Sequence, residues 1–306
     1  MESLLGAFLD SAVRTGTPLA LAALGETLAE RTGVINLGTE GSIVAGAFGA
    51  AVAASTYSAP VGLLVGLSCG MLAAAVFACF AIMLRTDQII TGTAVTIGSL
   101  GITSALHRSV FGAQDLALRV PTLDALSIPV LARAPLLGAA FFRQPLPTYL
   151  AYAVAVVGTW MLFRTRTGLW WRATGESPEA VRAVGASPMR IQVTATLCGG
   201  ALAGVAGATL VLAQVGTFAD GMSAGRGFIA IAIVALGRWH PMGVLAAALL
   251  FGGSSALQYL FQATGSVLPY QVFLAIPYLL ALAVLAAGAG RRNAPANLAR
   301  PLELNP

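Results

Sequence analysis

Few residues in this sequence could do chemistry, and their spacing argues against catalysis. The acids Glu26, Glu30 and Glu40 and the amide Asn36 stand among apolar runs, with Asn36 and Glu40 four apart, on one face of any continuous helix. His107 and His240 are remote from each other and have no Cys or second His nearby, so no zinc site is expected. Cys69, Cys79 and Cys198 lie inside apolar runs without CxxC spacing, the pattern of passive packing rather than of a disulfide or a metal site. No nucleophile, base and orienting group come together, and no paired carboxylates are evident, so no enzyme and no metal or cofactor in this chain are expected. A Gly-x-x-x-x-Gly-Lys-[Ser/Thr] phosphate loop is absent, and the sequence holds no Lys at all.

What remains for these residues is binding or structure. Asn36, Thr39 and Glu40 either line a water-filled path or satisfy helix breaks and interhelical bonds, because an unpaired polar group in lipid is costly. Arg226, between Gly225 and Gly227, either anchors a helix start or meets a solute. Glu26, Glu30 and Arg31 read as an internal ion pair or as a turn at the membrane edge.

The elements that must position them are membrane spans. Of 306 residues 57% are apolar and 9% charged, and mean hydropathy is +0.83. Soluble domains carry about 25% charged residues, so this chain cannot cover itself in water. The net charge of +5 sits between apolar runs and near the C-terminus, which marks topology rather than a nucleic-acid surface. No basic n-region or cleavage signal opens the chain, and no removable signal peptide is expected.

A span needs about 20 mostly apolar residues, and clear candidates run over 60–84, 88–106, 149–163, 191–214, 241–260 and 269–287. Two further regions, 4–54 and 221–237, are apolar but interrupted or short. The expectation is an all-α polytopic bundle of about 8–10 transmembrane helices with interrupted helices, one transmembrane domain over 1–290, with a cytoplasmic tail over 291–306. Arg164, Arg166, Arg172, Arg182 and Arg190, with Arg291, Arg292 and Arg300, place 164–190 and the tail in the cytoplasm, and leave 108–148 outside. That external segment is either a folded lid or docking surface, or a loop packed on the membrane. A short helix, a break and a full span follow one another at 33–84 and again at 221–260 with opposite polarity, the signature of an inverted repeat. Gly62, Gly66, Gly70 and Ala74 form a stripe that either packs within the chain or meets a second subunit.

The segment 164–190 carries the most local information. Ser177-Pro178 is a helix start, Glu179 lies in its first turn where the dipole favours an anion, and Gly185 is a stop. Ser187-Pro188 starts the next span. A short, independently capped helix between two spans is either a plain loop or a docking knob.

At this point the sequence resembles the permeases of ABC importers in the branched-chain-amino-acid and ribose-type superfamily. Gly168, Arg172, Gly175, Glu176, Pro178, Ala180 and Gly185 match the cytoplasmic coupling loop of that family. Glu30-Arg-Thr-Gly-Val-Ile-Asn-Leu-Gly-Thr-Glu-Gly41, Ala224-Gly-Arg-Gly-Phe-Ile-Ala-Ile-Ala and Gly237-Arg-Trp-His-Pro-Met-Gly243 are similar to its nucleoside and simple-sugar branch. The matches reach from about residue 4 to about residue 290. The resemblance implies a multi-pass permease in a bacterial inner membrane. Its partners are ABC ATPase subunits that bind the ATP, a second permease, an external substrate-binding protein and membrane lipid, and no nucleic acid. It makes 168–185, with Glu179 and Arg182, the ATPase-coupling set. A nucleoside is the first expectation for the solute, then a simple sugar, a vitamin or a branched-chain amino acid. The rival, an ion-driven transporter, would need an acid inside a clean span, and the six spans above hold none.

Overall fold

A computed structural model describes residues 2–112, 120–129, 137–263 and 294–300, with positions 275, 279, 282 and 283. The expected span at 269–287 lies almost wholly outside the described residues, as do Arg291, Arg292, 301–306 and parts of the 108–148 segment.

Helix α1 (Glu2–Glu30) runs unbroken through Glu26, so the interruption expected in 4–54 is confined to 31–38. Pro18 lies inside α1 and lacks the N–H that would reach the Arg14 carbonyl. The Gln214 side-chain amide donates to that carbonyl instead, at 2.6 Å. After the break come α2 (Thr39–Thr56) and α3 (Ala59–Phe77), which continues as a π-helical turn at Ala78–Met83. Helix α4 (Gln88–Phe111) starts on Asp87, whose carboxylate accepts from the N–H groups of Ile89 and Ile90.

The segment expected outside holds β1 (Ala125–Ser127), α5 (Leu137–Phe142) and β2 (Arg143–Pro145). β1 and β2 pair antiparallel, with Leu126 opposite Gln144, a small ribbon that the sequence reading did not anticipate. Then follow α6 (Leu146–Arg164), α7 (Arg166–Glu176), α8 (Pro178–Ala183), α9 (Pro188–Thr209, with a π-helical turn Leu210–Val215), α10 (Arg226–Leu236) and α11 (Pro241–Ala263).

Among the described residues four helices are long and apolar enough to cross a membrane: Ala59–Met83, Gln88–Val110, Leu146–Arg164 and Pro188–Val215. Their outward faces carry large apolar side chains, including Leu64, Ile97 and Trp160, each more than 60% exposed. Such a surface belongs in lipid rather than water. α9 is the central post, 78% buried in its apolar window against 22–33% for the other three.

Glycine lets the neighbours of α9 reach its backbone. A Cβ on Gly70 would fall 2.4 Å from Gly204 Cα, and one on Gly46 would fall 2.4 Å from the Gly204 carbonyl oxygen. The small-residue stripe therefore packs within the chain: Gly62 faces Ala50 and Ala54, Gly66 faces Gly46 and Ala208, and Ala74 faces Gly200.

The chain ends of the helices sort into two levels. Arg85, the 164–190 segment, Arg31 and the 237–240 corner share one end of the bundle, called here the arginine-rich end. The β1–β2 ribbon, His107 and Phe218 share the other; the His107 and Phe218 rings are 5.1 Å apart. α3 runs toward the arginine-rich end and α11 away from it, the opposite polarity expected of the two halves.

Candidate functional site

Two of the three expected clusters are brought together by the fold, and they meet at the short helix α10. Its first turn abuts α2: a Cβ on Gly227 would lie 2.4 Å from Glu40 N. The Glu40 carboxylate accepts three hydrogen bonds there, from Ser223 Oγ at 2.6 Å, Gly225 N at 2.8 Å and Gly227 N at 2.6 Å. Glu40 also sits in the first turn of α2. One buried acid thus caps the start of α10 by hydrogen bonds and lies in the first turn of α2, and the two helices run from there toward opposite ends of the bundle. Each helix start carries about half a positive charge, and the carboxylate between them neutralises both. Gly225 reaches this arrangement with φ +77°, a left-handed conformation that suits glycine.

A second acid secures the break between α1 and α2. Glu26 Oε1 accepts from Asn36 N at 2.8 Å, and Glu26 Oε2 accepts from Thr39 Oγ1 at 2.7 Å. Asn36 Oδ1 in turn accepts from Gly38 N at 2.9 Å. The outer rim of the same turn is held by Gln88, which accepts from Ile35 N, and by Gln192, which donates to the Thr32 carbonyl. Asn36, Thr39 and Glu40 are each under 5% exposed. Of the two roles open at the level of sequence, interhelical bonding is the one with visible partners. Arg226 is half-buried and folds over its own loop, donating from Nη1 to the carbonyls of Met222 and Ser223.

The far end of α10 meets the end of α1. Trp239 Nε1 donates to Glu30 Oε2, and Arg31 Nε donates to the Trp239 carbonyl at 2.7 Å. Glu30 and Arg31 therefore do not pair with each other, as an internal ion pair would require; both are tied to Trp239. Burial, and then the charge of Arg172, hold the Arg31 guanidinium below its ordinary range.

The 164–190 segment has the predicted local form. Ser177 Oγ accepts from Ala180 N at 3.3 Å, Pro178 opens α8, and Gly185 ends it with φ +83°. Its residues divide into an inner and an outer set. Gly168 and Gly175 are buried where a Cβ would strike the Met161 carbonyl at 2.0 Å and the Arg31 carbonyl at 2.4 Å. Arg172 lies over the Phe163 ring, 5.2 Å from its centroid. Glu176, Glu179, Gly185 and Val184 are exposed, and Arg182 is half-buried. A turn segment of the tail, 294–300, clamps this layer to the α1–α2 break. Asn297 N donates to the Gly175 carbonyl at 2.9 Å, Ala299 N to the Gly33 carbonyl at 3.0 Å, and Ala296 N to Glu176 Oε2 at 3.3 Å.

A cavity of about 690 Å³ is a groove between α2, α3 and α4, walled by Phe48, Leu72, Val76, Phe80, Ile90 and Ile102. Thr91, Ser99 and Thr103 of α4 and Thr86 just before it supply its hydroxyl groups. Sequence reasoning missed Ser223, Trp239 and the α4 threonines, because nothing local distinguishes them. The described residues contain no cluster of three metal-ligating side chains.

Comparison with known proteins supplies a context for this geometry. Residues 8–285 match the family described as branched-chain amino acid transport system / permease component. TsgC13 of Haloferax volcanii, a candidate glucose ABC transporter permease, is 38% identical over 84% of this chain and 78% of its own. The guanosine ABC transporter permease protein NupQ of Bacillus subtilis is 33% identical over 91% of this chain and 90% of its own. The nucleoside ABC transporter permease protein NupC of Lactococcus lactis is 32% identical over 91% of each chain. No solved structure matches.

Proposed function

Because this chain belongs to the branched-chain amino acid transport system permease family, we propose that it is the pore-forming subunit through which an ABC importer brings a nucleoside across a bacterial inner membrane. That it is a multi-pass ABC permease and not an enzyme follows from the family and its relatives. The nucleoside rests on one observation above the others: two nucleoside permeases align with nine-tenths of this chain and of their own. A simple sugar is the second reading, favoured by the 38% identity to TsgC13.

In this reading the arginine-rich end faces the cytoplasm, by the excess of Arg in its short loops. The β1–β2 ribbon then faces outward, where a substrate-binding protein docks. α8, capped at both ends and exposed along Glu179, Ala180 and Val184, is the knob that seats in a partner ATPase. ATP is bound there and not in this chain. A second permease completes the path, and the groove beside α4, with its threonines and serine, is the part of the wall this chain supplies. Force applied to α8 passes to α7, where Gly175 abuts the Arg31 carbonyl at the end of α1 and Gly168 abuts α6.

The test is reconstitution with the cognate ATPases and binding protein, followed by uptake of labelled guanosine and labelled glucose with and without ATP. ATP-dependent guanosine uptake is expected. Accumulation driven by an ion gradient alone would overturn the permease assignment, and uptake of glucose only would move the solute to the second reading. Replacing Gly185 by Pro, which cannot adopt φ +83°, is expected to leave ATPase turnover but abolish uptake.

A further inference from the structure

The corner between α10 and α11 has a conformation that its sequence disfavours. Arg238 and Trp239 follow one another with φ +58° and +55°, both left-handed and neither a glycine. Consecutive non-glycine residues of this kind persist only where their surroundings impose them, and they concentrate at switching elements. Here the imposing groups come from α1, 208 or 209 residues away in sequence: the Glu30 carboxylate on the Trp239 indole N–H, and the Arg31 guanidinium on the Trp239 carbonyl. The corner is tight as well, since a Cβ on Gly237 would lie 2.4 Å from Val244 N.

The same corner is in contact with the coupling layer. The His240 ring is stacked on Phe163, with centroids 5.0 Å apart and planes 20° apart. The Phe163 ring also carries the guanidinium groups of Arg31, at 5.5 Å, and of Arg172 on α7, at 5.2 Å, and packs on the cluster of Leu28, Leu162, Trp171 and Ala195. At its opposite end α10 is held by Glu40. The helix is therefore fixed at both ends by carboxylates of other helices, with a strained joint at the end nearest α7. Glu30 keeps one carboxylate oxygen, Oε1, buried and without a hydrogen bond, so its grip on Trp239 engages one of its two oxygens.

We propose that the Arg238–Trp239 corner is the hinge on which α10 swings during transport, and that Glu30 is the latch that holds it in the conformation seen here. Displacement of α7 moves Arg172 and Phe163, and with them His240 and the hinge. Release of the indole lets the left-handed pair relax, and relaxation tilts α10 about its Glu40 end. Trp239 and Glu30 are thus positioning residues, acting on the path through α10. The inference rests on the assignment of α7 and α8 as the ATPase contact.

The experiment uses the complete transporter in proteoliposomes, with ATP hydrolysis and solute uptake measured on the same vesicles. Trp239→Phe keeps the ring and loses the N–H donor. Uptake per ATP hydrolysed is expected to fall about tenfold, the shift produced by losing one hydrogen bond, while hydrolysis itself continues. Glu30→Gln keeps an acceptor oxygen and is expected to retain the parental ratio, whereas Glu30→Ala reproduces the loss. Arg238→Gly relaxes the backbone at an exposed position. It is expected to raise the melting temperature and lower the maximal uptake rate, without changing the concentration of loaded binding protein giving half-maximal uptake. A Trp239→Phe transporter with the parental uptake per ATP, or one whose hydrolysis and uptake fall in proportion, overturns the hinge. If Trp239→Phe does not assemble, Arg238→Gly decides: an unchanged maximal rate overturns the proposal, and a reduced rate in a more stable protein supports it. Failure of the permease assignment would show differently, as an unsubstituted complex with no ATP-dependent uptake.

Discussion

Glu40→Gln is the most discriminating single substitution at the centre of the bundle. The two side chains are nearly isosteric, so no cavity opens and the effect is confined to hydrogen bonding and charge. At present three donors converge on the carboxylate, from Ser223, Gly225 and Gly227. An amide offers one accepting oxygen and one NH₂. If the oxygen takes the Oε1 position, the NH₂ faces Gly227 N–H, donor against donor. If it takes the Oε2 position, Gly225 N–H is the orphan, because the Ser223 hydroxyl can turn to accept but a backbone N–H cannot. Either way one backbone donor is left buried and unpaired, at about 1–3 kcal/mol. Loss of the negative charge between two helix starts adds about 0.3–1 kcal/mol. The sum is roughly 1–4 kcal/mol, which corresponds to a fall on the order of 2–6 °C in the melting temperature of a chain this long. The assay is thermal unfolding of the purified protein in detergent, with Ser223→Ala as the control. That control removes a side-chain donor without orphaning a backbone group, and its fall is expected to be smaller. Glu40→Gln melting with the parent, or Ser223→Ala costing as much as Glu40→Gln, would refute the shared-cap argument.

Three further outcomes are expected. Gly204→Ala places a Cβ 2.3 Å from the Gly66 carbonyl oxygen and should cost about 1–3 kcal/mol by overpacking, whereas Gly101→Ala, with nothing within 4 Å, should be neutral in the same melt. Burial, and then the charge of Arg31, lower the pKa of His240 from its ordinary 6.5. The unfolded chain then binds the proton more readily, so this contribution to stability is complete above pH 6.5 and is lost as pH falls through the folded pKa. Unfolding midpoints followed from neutral to mildly acid pH should show that loss, and His240→Asn should flatten it; an unchanged slope in the variant would contradict the assignment. Thr122→Cys, at an exposed position beside Gly216, should react with an impermeant thiol reagent added outside, in a background lacking Cys69, Cys79 and Cys198. Labelling from the cytoplasm alone would invert the proposed topology.

Legibility from sequence followed the range of the interactions. α8 was readable to its caps because Ser177, Pro178 and Gly185 act on their own turn. The opposed short helices were readable because their Gly and Pro breaks are local signals as well. The sequence also made clear that Asn36, Thr39 and Glu40 need partners. It did not identify those partners, since Ser223, Gly225 and Gly227 lie more than 180 residues beyond Glu40. For Glu30 the sequence left an ion pair and a turn both open, and its partner, Trp239, lies 209 positions away. Pro18 in α1 reads as a breaker, and only the distant Gln214 amide explains why the helix survives it. The π-helical turns at Ala78–Met83 and Leu210–Val215 carry no local sign in the residues themselves.

The glycine contacts around α9 also bear on which parts of the protein can drift in evolution and which can move in use. Packed helices slide past one another by small rotamer changes in the side chains between them. Where Gly46, Gly66 and Gly70 rest on the backbone of α9 there is no such lubricating layer, so α2, α3 and α9 travel as a single frame. Related sequences should hold glycine at these points, because any methyl group would wedge the frame apart. α4 is a different case: Gly98 and Gly101 face open space and tolerate larger residues without disturbing the fold. Changes that retune the channel for a new solute should therefore accumulate on α4, against a frame that stays the same.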